Sequence, residues 1–306
     1  MGLDSSQNNA DIERRRAEEN AAPTSYYHTH PRNLKFEPDG LSSLDSTHTA
    51  FQPAHSVAMT VAYNGAPFAG FARQQGQQTV QGEIEYALKI IYRRIIGVTC
   101  AGRTDAGVHA FGQVVSFHLT EDEWESRTLE SLARSVNSMT HPAIVVRDIK
   151  EKKLGFSARF DAQSREYRYY IYPHPNPPII MRDFSWHVPQ PLNLEAMREA
   201  STYLVGEHDF KSFCVTASAE GKNTVRNIEL ISFMHDQILG ERVLSIRIVG
   251  NAFLHSMVRT VVGSLVLVGR GKRSPEWMQE VLEACDRQAA GETAPAKGLM
   301  FWQVIY

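Results

Sequence analysis

Hydrophobic positions follow no regular order over the first 53 residues and fall into clear periods after them. The opening stretch passes through DSSQNN, ERRRAEEN, a Tyr-His run and DGLSSLDSTHT. It is too polar to bury the apolar surface that would offset its ordering entropy, which predicts a disordered tail over residues 1–53. Beyond it, Val57, Met59, Val61 and Tyr63 alternate as in a half-buried strand, closed by Asn64-Gly65. Val80, Ile84, Leu88, Ile91 and Ile95 recur three and four apart, the stripe of an amphipathic helix. Ile96 to Ala101 and Gln113 to Leu119 read as strands, separated by the loop Gly102-Arg103-Thr104-Asp105-Ala106-Gly107-Val108-His109. Glu166 to Tyr172 is a strongly aromatic strand, and Val243 to Val249 is another. Asn193 is placed to cap a helix carrying Leu194, Met197 and Leu204, with Gly206 closing it. Met257, Val261 and Leu265 mark one face of a further helix that ends near Gly269 to Gly271.

Strands alternating with helices in short units predict mixed α/β domains with helices packed on a sheet. No internal sequence repeat is visible, which leaves room for two structurally similar halves. The 306 residues, 42% hydrophobic and 22% charged, fit one large domain or two of about 150 residues each, and exclude collagen, a coiled coil and full-length disorder. No apolar run approaches the roughly 18 residues of a membrane-spanning helix. The opening stretch lacks the apolar core of a secretory signal, and its acids argue against an organelle transit peptide. Met1-Gly2 with Ser6 fits the loose myristoylation pattern, and His28 with His30 offers a metal two ligands; both patterns are short and lie in polar surroundings, and chance accounts for them. Cys100, Cys214 and Cys285 stand far apart with no CxxC pair. That argues against a disulfide framework or a thiolate zinc site and for a reducing compartment, the cytoplasm.

Charge says little about partners. The chain carries 32 basic and 34 acidic residues; the first 53 hold 5 and 8 of these, which leaves residues 54–306 at 27 and 26. A nucleic-acid reading must therefore rest on local clusters. Three are candidates. In the loop 102–109, two glycines bracket Arg103, Thr104 and Asp105; the spacing suits a structural turn, and an acid so close to a base after a buried strand also suits a presented carboxylate. In Arg165-Glu166-Tyr167-Arg168-Tyr169-Tyr170 the period of two places Arg165, Tyr167 and Tyr169 on one face and Glu166, Arg168 and Tyr170 on the other. Basic residues among aromatics suit RNA, and a plain strand with cross-strand aromatic pairs reads equally well. In Asn251 to Arg259, His255 and Arg259 share a helix face, and Arg259 is out of phase with the apolar stripe, as a solvated arginine would also be. Arg147, Arg159, Lys211, Lys222, Arg226, Arg270, Lys272 and Arg273 add scattered positive charge. Cys100 before the loop reads as packing rather than as a nucleophile. No convincing metal set, phosphate-binding glycine loop or nucleotide-cofactor fingerprint is present.

GRTDAGVHA, Gly102 to Ala110, resembles the signature loop of the TruA family of tRNA pseudouridine synthases. The resemblance runs from Val57 to Tyr306 and includes, in the family's order, ARFDAQSREYRYYI (Ala158 to Ile171), GEHDFKSF (Gly206 to Phe213), Thr224-Val225-Arg226-Asn227-Ile228, NAFLHSMVRTVVG (Asn251 to Gly263) and APAKGL (Ala294 to Leu299). It implies an α+β pseudouridine synthase fold of two related α/β halves, residues 54–160 and 161–306, with mainly antiparallel sheets, helices packed on them and an RNA cleft between. It implies isomerisation of uridines 38 to 40 in the anticodon arm of tRNA, by a homodimer that needs no cofactor and no metal. By resemblance, Asp105 is the nucleophile, Arg103 guides the target nucleotide, Tyr167 stacks on the target uracil and Arg259 pairs with the carboxylate. Arg165, Arg168, Arg226 and His255 are further candidate RNA contacts. The chemistry fits: the isomerisation is redox-neutral and needs one ionised carboxylate, a neighbouring arginine to favour its charged form, and a surface to receive a base taken out of its stack.

The chain departs from the family pattern at Tyr63-Asn64-Gly65, at Phe71-Ala72 and at His255-Ser256, positions expected to touch packing or RNA contacts rather than the catalytic set. Two other readings compete. A catalytically silent relative that binds structured RNA would keep the basic and aromatic surface but lose the carboxylate. A sugar-processing enzyme would need a second acid in a comparable loop, and none is found.

Overall fold

The computed structural model describes residues 52–306. Apart from Gln52 and Pro53, the tail reading of residues 1–53 lies outside them, as do the readings of Gly2 and of His28 with His30. Ten strands among the described residues form one sheet: β1 (His55–Tyr63), β2 (Thr99–Cys100), β3 (His109–Leu119), β4 (Ile144–Lys152), β5 (Ser164–Tyr172), β6 (Trp186–His187), β7 (Gly206–Asp209), β8 (Val225–Ile238), β9 (Glu241–Gly250) and β10 (Leu299–Ile305). Their order is β4-β1-β3-β10-β5-β9-β8-β7, with β2 added on β3 and β6 on β5. Only β10 with β3 and β6 with β5 pair in parallel, so the architecture is α+β and mainly antiparallel. β10 is the joint of the sheet, since it sits between the strands read early in the chain and those read late.

The helices are α1 (Val80–Tyr92), α2 (Glu121–Glu125), α3 (Leu129–Met139), α4 (Leu194–Thr202), α5 (Thr216–Ala219), α6 (Met257–Gly269) and α7 (Trp277–Ala284). Thr79, Thr128 and Asn193 start α1, α3 and α4 by accepting the otherwise orphaned N–H of Gly82, Ser131 and Ala196. Helix α6 is buried nearly all round, not along one stripe, and Arg259 is one of two residues in it that are not buried. One core, including Met59, Leu88, Phe117, Tyr169, Phe301 and Val262, runs across the sheet and under the helices.

Three elements differ from the periodic reading, each for a local reason. Of Ile96 to Ala101, only Thr99–Cys100 pairs as a strand, because the Val98 N–H is taken by the Glu85 carboxylate (3.1 Å) instead of a neighbouring strand. Helix α1 stops at Tyr92, where Arg93 turns left-handed at φ +54°, and Ile95 is consequently half exposed. Helix α4 ends at Thr202: the Ser201 and Thr202 hydroxyls donate back to the carbonyls of Arg198 and Glu199, and Gly206 opens β7 instead of closing the helix.

Candidate active site

The loop 102–109 between β2 and β3 is pinned from three sides. Gln113 Nε2 donates to the Gly102 carbonyl (2.6 Å), the Phe71 N–H to the Thr104 carbonyl (3.0 Å), and the Tyr63 and Thr104 hydroxyls share a bond of 2.8 Å. Burial pushes the Tyr63 phenol pKa up, which keeps this bond between neutral groups. The Val108 N–H closes the turn on the Asp105 carbonyl (3.1 Å), and Gly107 supplies the φ of +76° that the turn requires. At Gly102 a side chain would meet the Phe301 ring at 2.9 Å. The loop therefore holds Asp105 in one place without using its carboxylate.

That carboxylate is met by side chains that follow β9, on the turn before α6 and on α6 itself. Arg259 Nη1 donates to Asp105 Oδ2 at 2.8 Å, and Ser256 Oγ donates to the same oxygen at 2.8 Å. His255 Nε2 lies 3.4 Å from Oδ1. Arg259 is itself aimed, because its Nε donates to the Ala294 carbonyl (2.8 Å) and the Ala294 N–H returns a bond to the Arg259 carbonyl (3.1 Å). The Asp105 and Arg259 side chains keep only 20% and 18% of their exposure, so the pair is partly shielded, and its charge-assisted bonds are stronger than they would be in open water.

A cavity of about 750 Å³ opens over Asp105, His255 and Ser256. Its wall includes Arg103, Arg159, Tyr167, Lys222, Arg226 and Phe253. The Tyr167 ring stands edge-on to Phe253 (5.0 Å, 81°) and to Phe301 (4.9 Å, 76°). Its hydroxyl has no hydrogen-bond partner among the described residues, and burial, with the Asp105 charge adding to it, drives the phenol pKa up.

The remaining candidates divide. Arg103 is an exposed side chain on the cavity wall, and among the described residues no ion pair joins it to Asp105; the arginine that does comes from α6. Arg226 also lines the cavity, with Nη1 on the carbonyls of Asn223 and Val225. His255 is more than half exposed beside the carboxylate. Arg165 is buried, and its donors go to the backbone carbonyls of Ala101, Arg159, Ala162 and Asn251. Arg168 does not line the cavity: it bonds Glu166 (2.9 Å) and lies over the Trp302 ring (3.7 Å). Of the scattered cations, Arg159, Lys222 and Arg226 line the cavity and the other five do not.

Cys100 is buried with its thiol pushed up to about 11 by desolvation, as suits packing. The neighbouring His109 is used structurally, its Nδ1 accepting from the Gly65 N–H and its Nε2 facing the Asp183 carbonyl. Burial lowers the His109 pKa and keeps the ring neutral. Among the described residues, no group of three or more His, Cys, Asp or Glu side chains gathers in a way that could hold a metal ion, and no helix is long and apolar enough to cross a membrane.

Two contributors were not legible in the sequence. Ser256 was expected to touch packing or RNA; it bonds the Asp105 carboxylate instead, and the expectation is corrected. Ala294 acts through its backbone carbonyl, which no side-chain pattern can reveal, and the only signal was the APAKGL segment itself.

A family model described as tRNA pseudouridine synthase matches residues 59–161 and 200–306, the segments that carry the arginine-paired carboxylate. The chain belongs to this family, whose members are isomerases, and its sheet and helices form the pseudouridine synthase fold. The chain is 44% identical over 250 residues to tRNA pseudouridine synthase A of Brevibacillus brevis, a match that covers 80% of this chain and 97% of that protein. It is 40% identical to the proteins of the same name from Thermotoga neapolitana (82% and 99% covered) and Bacillus subtilis (81% and 97%). Asp105 and Arg259 fall within the matched segments, and Tyr167 falls between them.

Proposed function

We propose that this chain converts uridines 38 to 40 in the anticodon arm of tRNA to pseudouridine, with Asp105 as the attacking carboxylate. One observation carries the reading: Asp105 is the single acid among the described residues lining the cavity, and Arg103, Arg159, Arg165, Lys222 and Arg226 line it with charge of the opposite sign. A cleft of that composition suits a polyanion and holds one reactive carboxylate, whereas a two-carboxylate sugar hydrolase needs a second acid.

In this reading the Asp105 carboxylate attacks the ribose at C1′ as the C1′–N1 bond breaks, and the electron pair leaves on uracil N1. The freed base turns, C5 takes C1′ from the carboxylate, the C5 proton is lost and N1 gains one. Atoms and charge balance without an oxidant or a phosphate. Arg259 holds the carboxylate in place through its hydrogen bond to Oδ2, Arg103 steers the flipped nucleotide, and the Tyr167 ring receives the uracil face. Arg226 and His255 are the candidate RNA contacts best placed to act, since both lie at the cavity. Arg165 serves the framework, and Arg168 faces elsewhere.

The same reading includes a homodimer working in the cytoplasm, with residues 54–160 and 161–306 as related halves. Three free cysteines, none paired, support a reducing compartment.

The test is incubation with unmodified tRNA transcript followed by chemical mapping of pseudouridine. Product at positions 38 to 40 is expected, and Asp105→Asn should bind tRNA yet make none. Absence of product at every position removes the reading; turnover by Asp105→Asn removes the assignment of the nucleophile.

A further inference from the structure

We infer that Ser256 is a positioning residue for this reaction: it fixes Asp105 Oδ2 so that Oδ1 is the oxygen presented to the sugar. The inference rests on Asp105 being the attacking carboxylate.

Ser256 occupies the N-cap of α6. A serine there ordinarily has extended backbone and uses its oxygen to accept a first-turn N–H. Ser256 does neither. Its backbone is left-handed, at φ +59° and ψ +7°, and its side chain makes no capping bond. Both features are unfavourable for serine, and a strained residue persists only where its surroundings over-determine it. Here Thr260 donates to the Ser256 carbonyl through both its N–H (3.0 Å) and its hydroxyl (3.2 Å), which holds the turn. What the strained turn gives in return is direction: the hydroxyl points out of the helix and donates to Asp105 Oδ2.

The geometry makes the two carboxylate oxygens unequal. Oδ2 receives charge-assisted bonds from Ser256 and Arg259, both at 2.8 Å. Oδ1 has His255 at 3.4 Å, a longer contact from a side chain that is 52% exposed and free to yield to substrate. Rotation of a carboxyl about its last bond is soft, so a single arginine contact would leave its plane free to swing. A second donor from a separate side chain fixes that plane. The uncommitted lone pairs are then those of Oδ1, and the Oδ1–C1′ bond forms as C1′–N1 breaks.

The experiment uses the full chain with Ser256→Gly and Ser256→Ala. Both remove the hydroxyl; glycine also relieves the left-handed strain and alanine keeps it. Measured quantities are the single-turnover rate at saturating tRNA transcript, the tRNA Kd and the thermal midpoint. Both variants should lose about tenfold to a hundredfold in rate, the worth of a hydrogen bond to a charged group. Their Kd should stay within about twofold of the parent, and their rates should match each other although the glycine variant melts higher. A glycine variant within about twofold of the parental rate, or rates that follow the melting order, overturns the inference. Asp105→Asn is assayed alongside: inactive Asp105→Asn with active Ser256→Gly sinks this role alone, and active Asp105→Asn sinks the nucleophile reading beneath it.

Discussion

Arg165 grips the Ala101 carbonyl with two donors at once, Nε at 3.2 Å and Nη2 at 3.1 Å. Ala101 immediately precedes the loop of Asp105, and the same guanidinium reaches the carbonyl of Asn251, just ahead of the turn of His255 and Ser256 and the helix of Arg259. One buried cation thereby ties together the two backbone segments whose side chains must meet. It does so because a guanidinium offers five donors in a rigid fork, enough to serve carbonyls arriving from different directions.

Replacing Arg165 by lysine keeps the charge and loses the fork. Several buried carbonyls would then lack partners, at roughly 1–3 kcal/mol for each group left unsatisfied. Urea denaturation should show a lower midpoint with an unchanged slope, and turnover should fall along with it.

Arg259→Lys should be almost as damaging as Arg259→Gln. The arginine divides its donors between Asp105 and the Ala294 carbonyl, and a lysine ammonium on a flexible stem cannot hold both in that geometry. Loss of about a hundredfold in single-turnover rate is expected from either variant, the range for removing one preorganised donor at a reacting centre. A lysine variant with the parental rate would show that charge alone suffices.

Tyr167 separates ring from hydroxyl. Removing a hydroxyl that bonds nothing among the described residues costs the fold little, so Tyr167→Phe should be as stable as the parent and should retain turnover, as stacking by the ring requires. Tyr167→Ala empties the space between Phe253 and Phe301 and should cost about 3–5 kcal/mol in equilibrium denaturation.

His55 gives the fold a pH dependence of definite sign. Its ring lies 2.7 Å from a Glu151 oxygen and 3.2 Å from one of Glu121, and stacks on Trp124 at 4.5 Å. The Glu151 bond raises the His55 pKa above 6.5, desolvation opposes it, and Glu121 adds to the rise. The folded state thus holds the proton more tightly than the unfolded one. The resulting stabilisation is complete below pH 6.5 and is lost as pH climbs through the raised value. The thermal midpoint of the parent should fall relative to that of His55→Gln over that interval, and Trp124 fluorescence should change with it.

Affinity for tRNA should weaken steeply with salt despite the near-neutral chain, because the cations are gathered on the cavity wall. Raising monovalent salt from about 50 to about 200 mM should weaken Kd more than tenfold. A flat response would dissociate the cavity from phosphate binding.

Local pattern was legible wherever neighbours in sequence decide the outcome. The alternation Val57 to Tyr63 became β1, and Asn193 caps α4 through its own side chain. The period of two also separated Tyr167 from Arg168, which lie on different sides of β5. What stayed hidden depends on residues far apart in sequence. Glu85 claims the Val98 N–H and shortens a strand; Ala294 aims Arg259 with a carbonyl; Ser256 trades its capping bond for Asp105. The pairing of Asp105 with Arg259 itself entered through family resemblance, since no spacing rule links residues 154 apart.

The position of β10 between β3 and β5 constrains how the molecule is made. Until residues 299–305 emerge from the ribosome, β3 and β5, both complete by residue 172, wait without the strand that joins them. An open flank of that kind is a template for misassembly, and its closure is among the longest-range events in the fold. The crevice over Asp105, which Leu299 helps to line, therefore takes its full shape only once β10 has joined β3 and β5.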